Sequence, residues 1–224
     1  MSEKPILFST PMVQAIIKSI KSMTRRTRGL DKVNANPDKW ILRQITIDDP
    51  GGLMAWFEHI ETHELIKAKC PYGQPGNTLW VRETWAHVYG YPYFQDNGTM
   101  RKEYIYKASP EGWEDGYNGR WKPSIHMPRK AARLFLTVKN IRVERLQDIS
   151  EEDAIKEGIK EFKLTASNGV TLLYGLNAEQ SVMNYTAKSA FEDLWDSINK
   201  VRGYGWDTNC WTWVVEFERK QGDK

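Results

Sequence analysis

The sequence predicts an α+β fold: a mostly antiparallel, barrel-like β-sheet with a few flanking helices. Two segments carry the clearest strand signal. Residues 133–146 (RLFLTVKNIRVERL) and 210–219 (CWTWVVEFER) place apolar side chains at alternate positions, as strands with one buried face do. Helical periodicity is confined to short stretches. No repeat or low-complexity linker divides the 224 residues, so we expect one domain over residues 1–224.

The first helix is predicted from its start signals. Thr10 can cap it, and Pro11 suits the first helical position. Four apolar residues then recur with helical spacing: Val13, Ile16, Ile17 and Ile20. We expect this helix to end between Lys21 and Thr24.

Strand signals follow it along the chain. Residues 40–45 (WILRQI) favour a short strand, whereas residues 52–70 fit either a helix or strands joined by a turn. Residues 78–88 (TLWVRETWAHV) and 103–109 (EYIYKAS) have the composition of strands. These segments supply the remainder of the predicted sheet.

Two later helices carry capping signals. In residues 148–159 (DISEEDAIKEGI), Ser150 can cap the helix and Gly158 can end it. In residues 189–199 (SAFEDLWDSIN), Ser189 and Glu192 have the spacing of a capping box. The polar residues 160–188 between these helices look like an insertion.

Composition indicates a cytoplasmic protein without a membrane span. Mean hydropathy is −0.63, and no apolar run approaches the length that crosses a bilayer. The N-terminal residues lack the apolar segment of a signal peptide. Cys70 and Cys210 form neither a disulfide framework nor a zinc pattern. The net charge of +3 permits an anionic partner without requiring one.

Common catalytic motifs are missing from the sequence. It has no P-loop, no GxGxxG and no GxSxG, which argues against the usual nucleotide, dinucleotide and hydrolase chemistry. His59 and His63 are four residues apart, but the H-E-x-x-H order and a third ligand are missing. We therefore expect these histidines on a solvated helical face, and no metal or cofactor.

Several residues outside the basic segment are candidates for ligand contact. Arg82 and Glu83 are neighbours in a predicted strand, so one of them must point inward, either to an ion partner or to a ligand. His126 lies in a loop between two prolines, where a structural hydrogen bond and a ligand contact are both open. Among ten tryptophans, Trp80 and Trp85 are candidates for stacking on a base.

The segment from Lys21 to Arg28 (KSMTRRTR) is rich in cations. Cations are favoured at a helix C-terminus, and this alone would explain them. Alternatively, Arg25, Arg26 and Arg28 grip phosphate. Lys21 and Thr24 are one helical turn apart, so they could face one site, where a desolvated lysine serves as the base for a hydroxyl.

Four motifs in order resemble one family. The segment AIIKSIKSMTRR resembles the helix followed by G-x-K-T-x-T-x-R that opens ASCH domains of the PUA-like superfamily. GQPGNTLWVRE resembles the family's next turn and strand, LTVKNIRVERLQDISEEDAIKEGI its strand and acidic helix, and FEDLWDSINK with WTWVVEFER its last helix and strand. The layout also resembles ASCH-like proteins of phages and prophages.

The resemblance implies a small β-barrel whose cleft holds RNA or a modified nucleobase. Some family members are similar to amidohydrolases that deacetylate N4-acetylcytidine with a lysine, a threonine and a glutamate. These residues fall on Lys21, Thr24 and Glu157, and a family arginine falls on Arg26. A base would stack on Trp80 or Trp85. The expected partner is thus RNA, single-stranded nucleic acid or a modified nucleoside, with the oligomeric state open.

The sequence departs from the family pattern in several places. The family's glycine is Ser19 here, the threonine after its lysine is Ser22, and an aspartate is Asn77. Extra material lies at about 29–70, 86–130 and 160–188. Because function lives in the site, the fold transfers more readily than the activity. A non-catalytic RNA- or single-stranded-DNA-binding module, or a phage accessory protein, is the alternative.

Overall fold

The computed structural model describes residues 2–48, 52–87, 104–109, 119–166, 169–176 and 183–220. In these ranges the fold is α+β with mostly antiparallel strands, which confirms the predicted class. The helices are α1 (Thr10–Ile17), α2 (Asp31–Asn34), α3 (Glu151–Lys156) and α4 (Ala187–Asn199). The strands are β1 (Glu3–Leu7), β2 (Met23–Arg26), β3 (Trp40–Asp48), β4 (Gly52–His59), β5 (Leu65–Lys69), β6 (Thr78–Arg82), β7 (Trp85–His87), β8 (Tyr104–Tyr106), β9 (Phe135–Arg145), β10 (Lys160–Ala166), β11 (Gly169–Gly175) and β12 (Trp211–Arg219).

The main sheet has five strands in the order β1-β6-β9-β12-β2. β1 and β6 are parallel, and the other neighbours are antiparallel. The strand predictions at both long segments are confirmed, because alternate residues enter the core. These core residues are Leu134, Leu136, Val138, Ile141 and Val143 on one segment, and Trp211, Trp213, Val215 and Phe217 on the other.

The described strands do not close into a barrel, contrary to the expectation. They form separate sheets of five, three, two and two strands. Closure would require the two edge strands of the main sheet to pair. Instead β1 pairs with β6 alone and β2 with β12 alone among the described strands. The four-residue strand β2 is therefore an open edge.

Two of the expected loop insertions contain sheets. Within residues 29–70, β3, β4 and β5 form a three-stranded antiparallel sheet, and the ambiguous residues 52–70 are strands. Its inner face packs into the main core through Leu53, Ala55 and Phe57. Residues 160–188 include the hairpin of β10 and β11. In the third expected insertion, residues 88–103 and 110–118 lie outside the described residues.

The predicted helical placement of the two histidines is wrong. His59 ends β4, and His63 lies in the following turn with a φ of 58°. A ring nitrogen of His63 is 2.7 Å from Glu58 Oε1. Within the described ranges, no group of three or more His, Cys, Asp or Glu side chains has an arrangement that could hold a metal ion.

Helix α1 ends earlier than predicted. The Ile20 N–H donates to the Ala15 carbonyl at 2.8 Å, and the Ser19 N–H to the Ile16 carbonyl at 3.0 Å. These two bonds form a Schellman motif, which leaves Ser19 left-handed with a φ of 57°. Lys21 consequently lies in a turn and Thr24 in β2. The expectation that these two residues share one helical face is wrong.

Ser19→Gly is expected to raise the free energy of unfolding by about 1 kcal/mol, because glycine adopts the left-handed conformation without the side-chain clash. Urea denaturation measures the change. Ser22→Gly is the matched control; Ser22 has no positive φ. There, glycine adds only unfolded-state entropy and should lower stability by several tenths of a kcal/mol or more. A Ser19→Gly variant as destabilised as Ser22→Gly would contradict this account of the turn.

Helices α3 and α4 pack together beside β2. The Ser150 hydroxyl accepts from the Asp153 N–H at 3.1 Å, so this predicted cap is confirmed. On α4 the cap is Thr186, which accepts from the Ser189 N–H, so the predicted Ser189–Glu192 box is wrong. Their shared core includes Ile149, Ala154, Phe191 and Trp195. No helix in the described ranges is long and apolar enough to cross a membrane.

Candidate functional site

Lys21 and Glu157 meet in the interior although 136 residues separate them. The Lys21 ammonium donates to Glu157 Oε2 at 2.7 Å and to the Glu157 carbonyl oxygen at 2.6 Å. The two side chains are 2% and 4% exposed. The contact is thus a buried ion pair with an additional backbone acceptor.

Backbone geometry explains why these two side chains meet. The Ser22 N–H donates to the Lys156 carbonyl at 2.9 Å, which ties the turn before β2 to the end of α3. Gly158 follows with a φ of 107°, a conformation that side chains rarely adopt. A Cβ there would lie 3.6 Å from Lys21 Cβ, so the lysine stem packs against this turn.

Burial lowers the pKa of Lys21 below its usual 10.5. The charge of Glu157 and its hydrogen bond oppose this shift, and the cations Arg26 and Arg25 add to it. Desolvation disfavours an ammonium ion, so a lowered pKa makes the neutral amine more accessible. A neutral amine is the form in which lysine accepts a proton.

Thr24 is paired with Arg26 rather than with Lys21. Its buried hydroxyl oxygen accepts a hydrogen bond from Arg26 Nε at 3.2 Å. Arg26 also donates to the Leu7 carbonyl at 2.8 Å and lies 4.9 Å from the centroid of the Phe8 ring. The Lys21 ammonium is 6.0 Å from the same centroid. Phe8 therefore neighbours both cations.

Arg25 points to the opposite face of β2, because side chains alternate along a strand. Its side chain is 0% exposed. The guanidinium donates to three carboxylates, those of Glu144, Asp153 at 3.0 Å and Glu157 at 3.3 Å. A guanidinium enclosed in this way cannot grip phosphate, so the expectation for Arg25 is wrong. Arg28, by contrast, is exposed, and Arg26 is half-buried.

Arg142 extends this ionic cluster. It donates to Glu144 Oε2 at 2.9 Å and also bonds Asp153 and Glu216. Arg142 and Glu144 are neighbours of the candidate site that were not predicted from the sequence. Their positions between the inward residues of β9 show that they face away from the core. That alternation was visible in the sequence, but their partners, on other elements, were not.

The remaining candidate residues lie on β6 and in the segments that follow it. Trp80 and Arg82 are on β6, Glu83 follows that strand, and Trp85 begins β7 in a separate two-stranded sheet. Arg82 lies 5.5 Å from the Trp80 ring centroid and donates to the Ile125 carbonyl next to His126. Leu79 and Val81 enter the core, so Trp80 between them points to the opposite face of β6.

Glu83 is the inward-pointing member of the Arg82–Glu83 pair, and it is 0% exposed. Arg133 holds it with two hydrogen bonds of 2.9 Å, and Arg133 Nη1 donates to Ser109 Oγ. The Arg133 guanidinium also lies 4.1 Å from the Tyr106 ring centroid. Both carboxylate oxygens are thus engaged by a structural ion pair.

Trp85 and His126 are near this ion pair but have different environments. Trp85 is buried against Tyr104, with their ring centroids 5.6 Å apart, and Lys122 lies 4.9 Å from the Trp85 ring. His126 is exposed in a short 3-10 turn. A buried tryptophan does not offer an open face to a base, which argues against stacking at Trp85.

Comparison with known proteins found no matching family model, no matching curated protein and no matching solved structure. The resemblance to ASCH domains therefore rests on the sequence motifs. The geometry around Lys21, Thr24 and Glu157 is the independent ground on which a function can be argued.

Proposed function

We propose that this chain is an ASCH-like amidohydrolase of the PUA-like superfamily that acts on an N4-acylated cytidine. One observation supports this most directly: the Lys21 ammonium and the Glu157 carboxylate are 2.7 Å apart in the interior. The resemblance to the family motifs implies a catalytic lysine and glutamate at these two positions, which are far apart in the chain. A buried lysine with a lowered pKa suits the base that such a reaction requires.

The reaction consumes one water and releases the carboxylic acid and cytidine. Lys21 first passes a proton to Glu157. Thr24 Oγ, or a water that it positions, then attacks the amide carbonyl carbon, and the neutral Lys21 amine takes the proton. The Thr24 hydroxyl accepts from Arg26, which leaves its own proton for the base. The charge on the carbonyl oxygen develops near the Lys21 and Arg26 cations.

Collapse of the tetrahedral intermediate breaks the C–N bond. The bonding electron pair goes to N4 of cytidine, which receives a proton through Glu157. If Thr24 itself is the nucleophile, water then hydrolyses the acyl ester and frees the threonine. Arg25 stays bonded to Glu157 and holds the carboxylate towards Lys21.

The test is incubation with N4-acetylcytidine, following the release of cytidine by chromatography. Lys21→Ala and Thr24→Val are expected to lower the rate by roughly 10²–10⁴-fold, the usual contribution of a positioned acid, base or nucleophile. Lys67→Ala is the control, since Lys67 is exposed on β5 and its replacement should leave the rate unchanged. A wild-type protein as inert as Lys21→Ala would exclude this substrate.

A second candidate function, a non-catalytic RNA- or single-stranded-DNA-binding module, is favoured by the burial of the site. Lys21, Thr24 and Glu157 are each at most 4% exposed, as expected for a structural ion pair. Binding would then depend on exposed cations such as Arg28 and weaken steeply with salt. Salt-dependent RNA binding without turnover would select this alternative.

A further inference from the structure

A groove of about 520 Å³ opens between the end of α1 and the end of β12. It exists because β12 extends beyond β2, whose pairing with β12 ends at Met23 and Glu216. The lining residues come from the end of α1, the segment between α1 and β2, the end of β12 and the residue after it: Ile16, Ser19, Lys21, Ser22 and residues 217–220. Its volume lies within the usual range of small-molecule sites.

The charges at the groove favour an anion. Lys21 is neutralised by Glu157, and Glu218 by Lys139 at 2.9 Å. The two cations left at the rim, Arg219 and Lys220, are exposed. Among the described residues, no carboxylate forms a salt bridge with either of them.

Two further features of the groove restrict the chemical class of its ligand. Lys220 lies near Glu3, whose carboxylate is already bonded through both oxygens by Arg129. Ile16 and Phe217 add buried apolar side chains to the wall. A groove with an apolar wall and a cationic rim suits a ring that carries a phosphate.

We propose that this groove binds the phosphate-bearing part of a cytidine nucleotide, through Arg219 and Lys220. The inference rests on the proposed amidohydrolase function and names its substrate class: a nucleotide, free or within RNA, rather than the free nucleoside. Lys21 links the two features, because it belongs both to the catalytic cluster and to the groove lining.

The experiment measures product binding by calorimetry with cytidine, cytidine 5′-monophosphate and a cytidine trinucleotide. Wild-type protein should bind the monophosphate about tenfold more tightly than cytidine, a difference of about 1.4 kcal/mol. The double variant Arg219→Ala/Lys220→Ala should lose this preference. Lys67→Ala/Lys69→Ala, which removes two exposed cations from β5, is the control that should keep it.

The ligands also distinguish the two sources of phosphate. Tighter binding of the trinucleotide than of the monophosphate assigns the groove to RNA, and the reverse assigns it to the free nucleotide. Equal affinity for cytidine and its monophosphate, no binding of either, or a preference that survives in Arg219→Ala/Lys220→Ala would overturn the inference. If the protein hydrolyses N4-acetylcytidine but binds cytidine and its monophosphate equally, the proposed amidohydrolase function is retained. Only the proposal that the groove binds phosphate is then rejected.

Discussion

Replacing Arg25 with methionine is expected to lower the free energy of unfolding by about 3–5 kcal/mol. The guanidinium is completely buried and bonds the carboxylates of Glu144, Asp153 and Glu157. Methionine fills a similar volume but leaves these carboxylates without that cation. The penalty is large because Lys21 and Arg142 then remain to balance Glu144, Asp153, Glu157 and Glu216, and the excess negative charge is poorly hydrated.

Arg28→Met is the matched control for this measurement. It makes the same chemical change three residues away, at an exposed position. Surface substitutions of this kind usually change stability by no more than about 0.5 kcal/mol. Urea denaturation of both variants gives the comparison. Equal stability of the two variants would show that the ionic cluster around β2 contributes little to the fold.

The second large effect is expected at Arg133. Arg133→Met removes both hydrogen bonds to the fully buried Glu83, and we expect a loss of about 3–5 kcal/mol. Adding Glu83→Gln to this variant removes the unpaired charge and should restore part of the stability. Denaturation of the single and double variants measures both steps.

An exposed ion pair supplies the control. Arg129 is bonded to Glu3 at 2.7 Å, with side chains 44% and 47% exposed. Arg129→Met should therefore cost less than about 1 kcal/mol. The expectation is contradicted if Arg133→Met lowers the free energy of unfolding no more than Arg129→Met does, or if adding Glu83→Gln restores none of the loss. Either result would show that the ion pair with Arg133 does not stabilise the buried Glu83.

Patterns among neighbouring residues correctly predicted the features that depend on neighbouring residues, namely side-chain alternation in strands and a helix cap. The alternation in β9 and β12 predicted which residues enter the core. The Ser150 cap and the end of α3 were also correct, since a cap depends on residues three positions apart. The end of α1 was missed because the chain turns at Ser19, where glycine is the usual residue.

At the candidate site, too, some features could be predicted from neighbouring residues and others depended on the tertiary structure. If β2 had been predicted as a strand, Arg25 would have been assigned to the opposite face from Thr24 and Arg26, because neighbouring side chains in a strand point to opposite faces. Without that, Arg25 was predicted to contact phosphate. The tryptophans on and after β6 were assigned to the same site as Lys21, but Trp80 points away from the core and Trp85 is buried against Tyr104.

By itself, the sequence determined the α+β class, the core positions of the long strands, and Lys21, Thr24 and Glu157 as candidates through their family motifs. Tertiary structure alone decided that the described strands remain open sheets, that Lys21 pairs with Glu157, and that Arg25 is enclosed by three carboxylates. The physical reason is the range of the interactions. Alternation and capping act over a few residues, whereas strand order and ion pairing depend on packing between segments more than 100 residues apart.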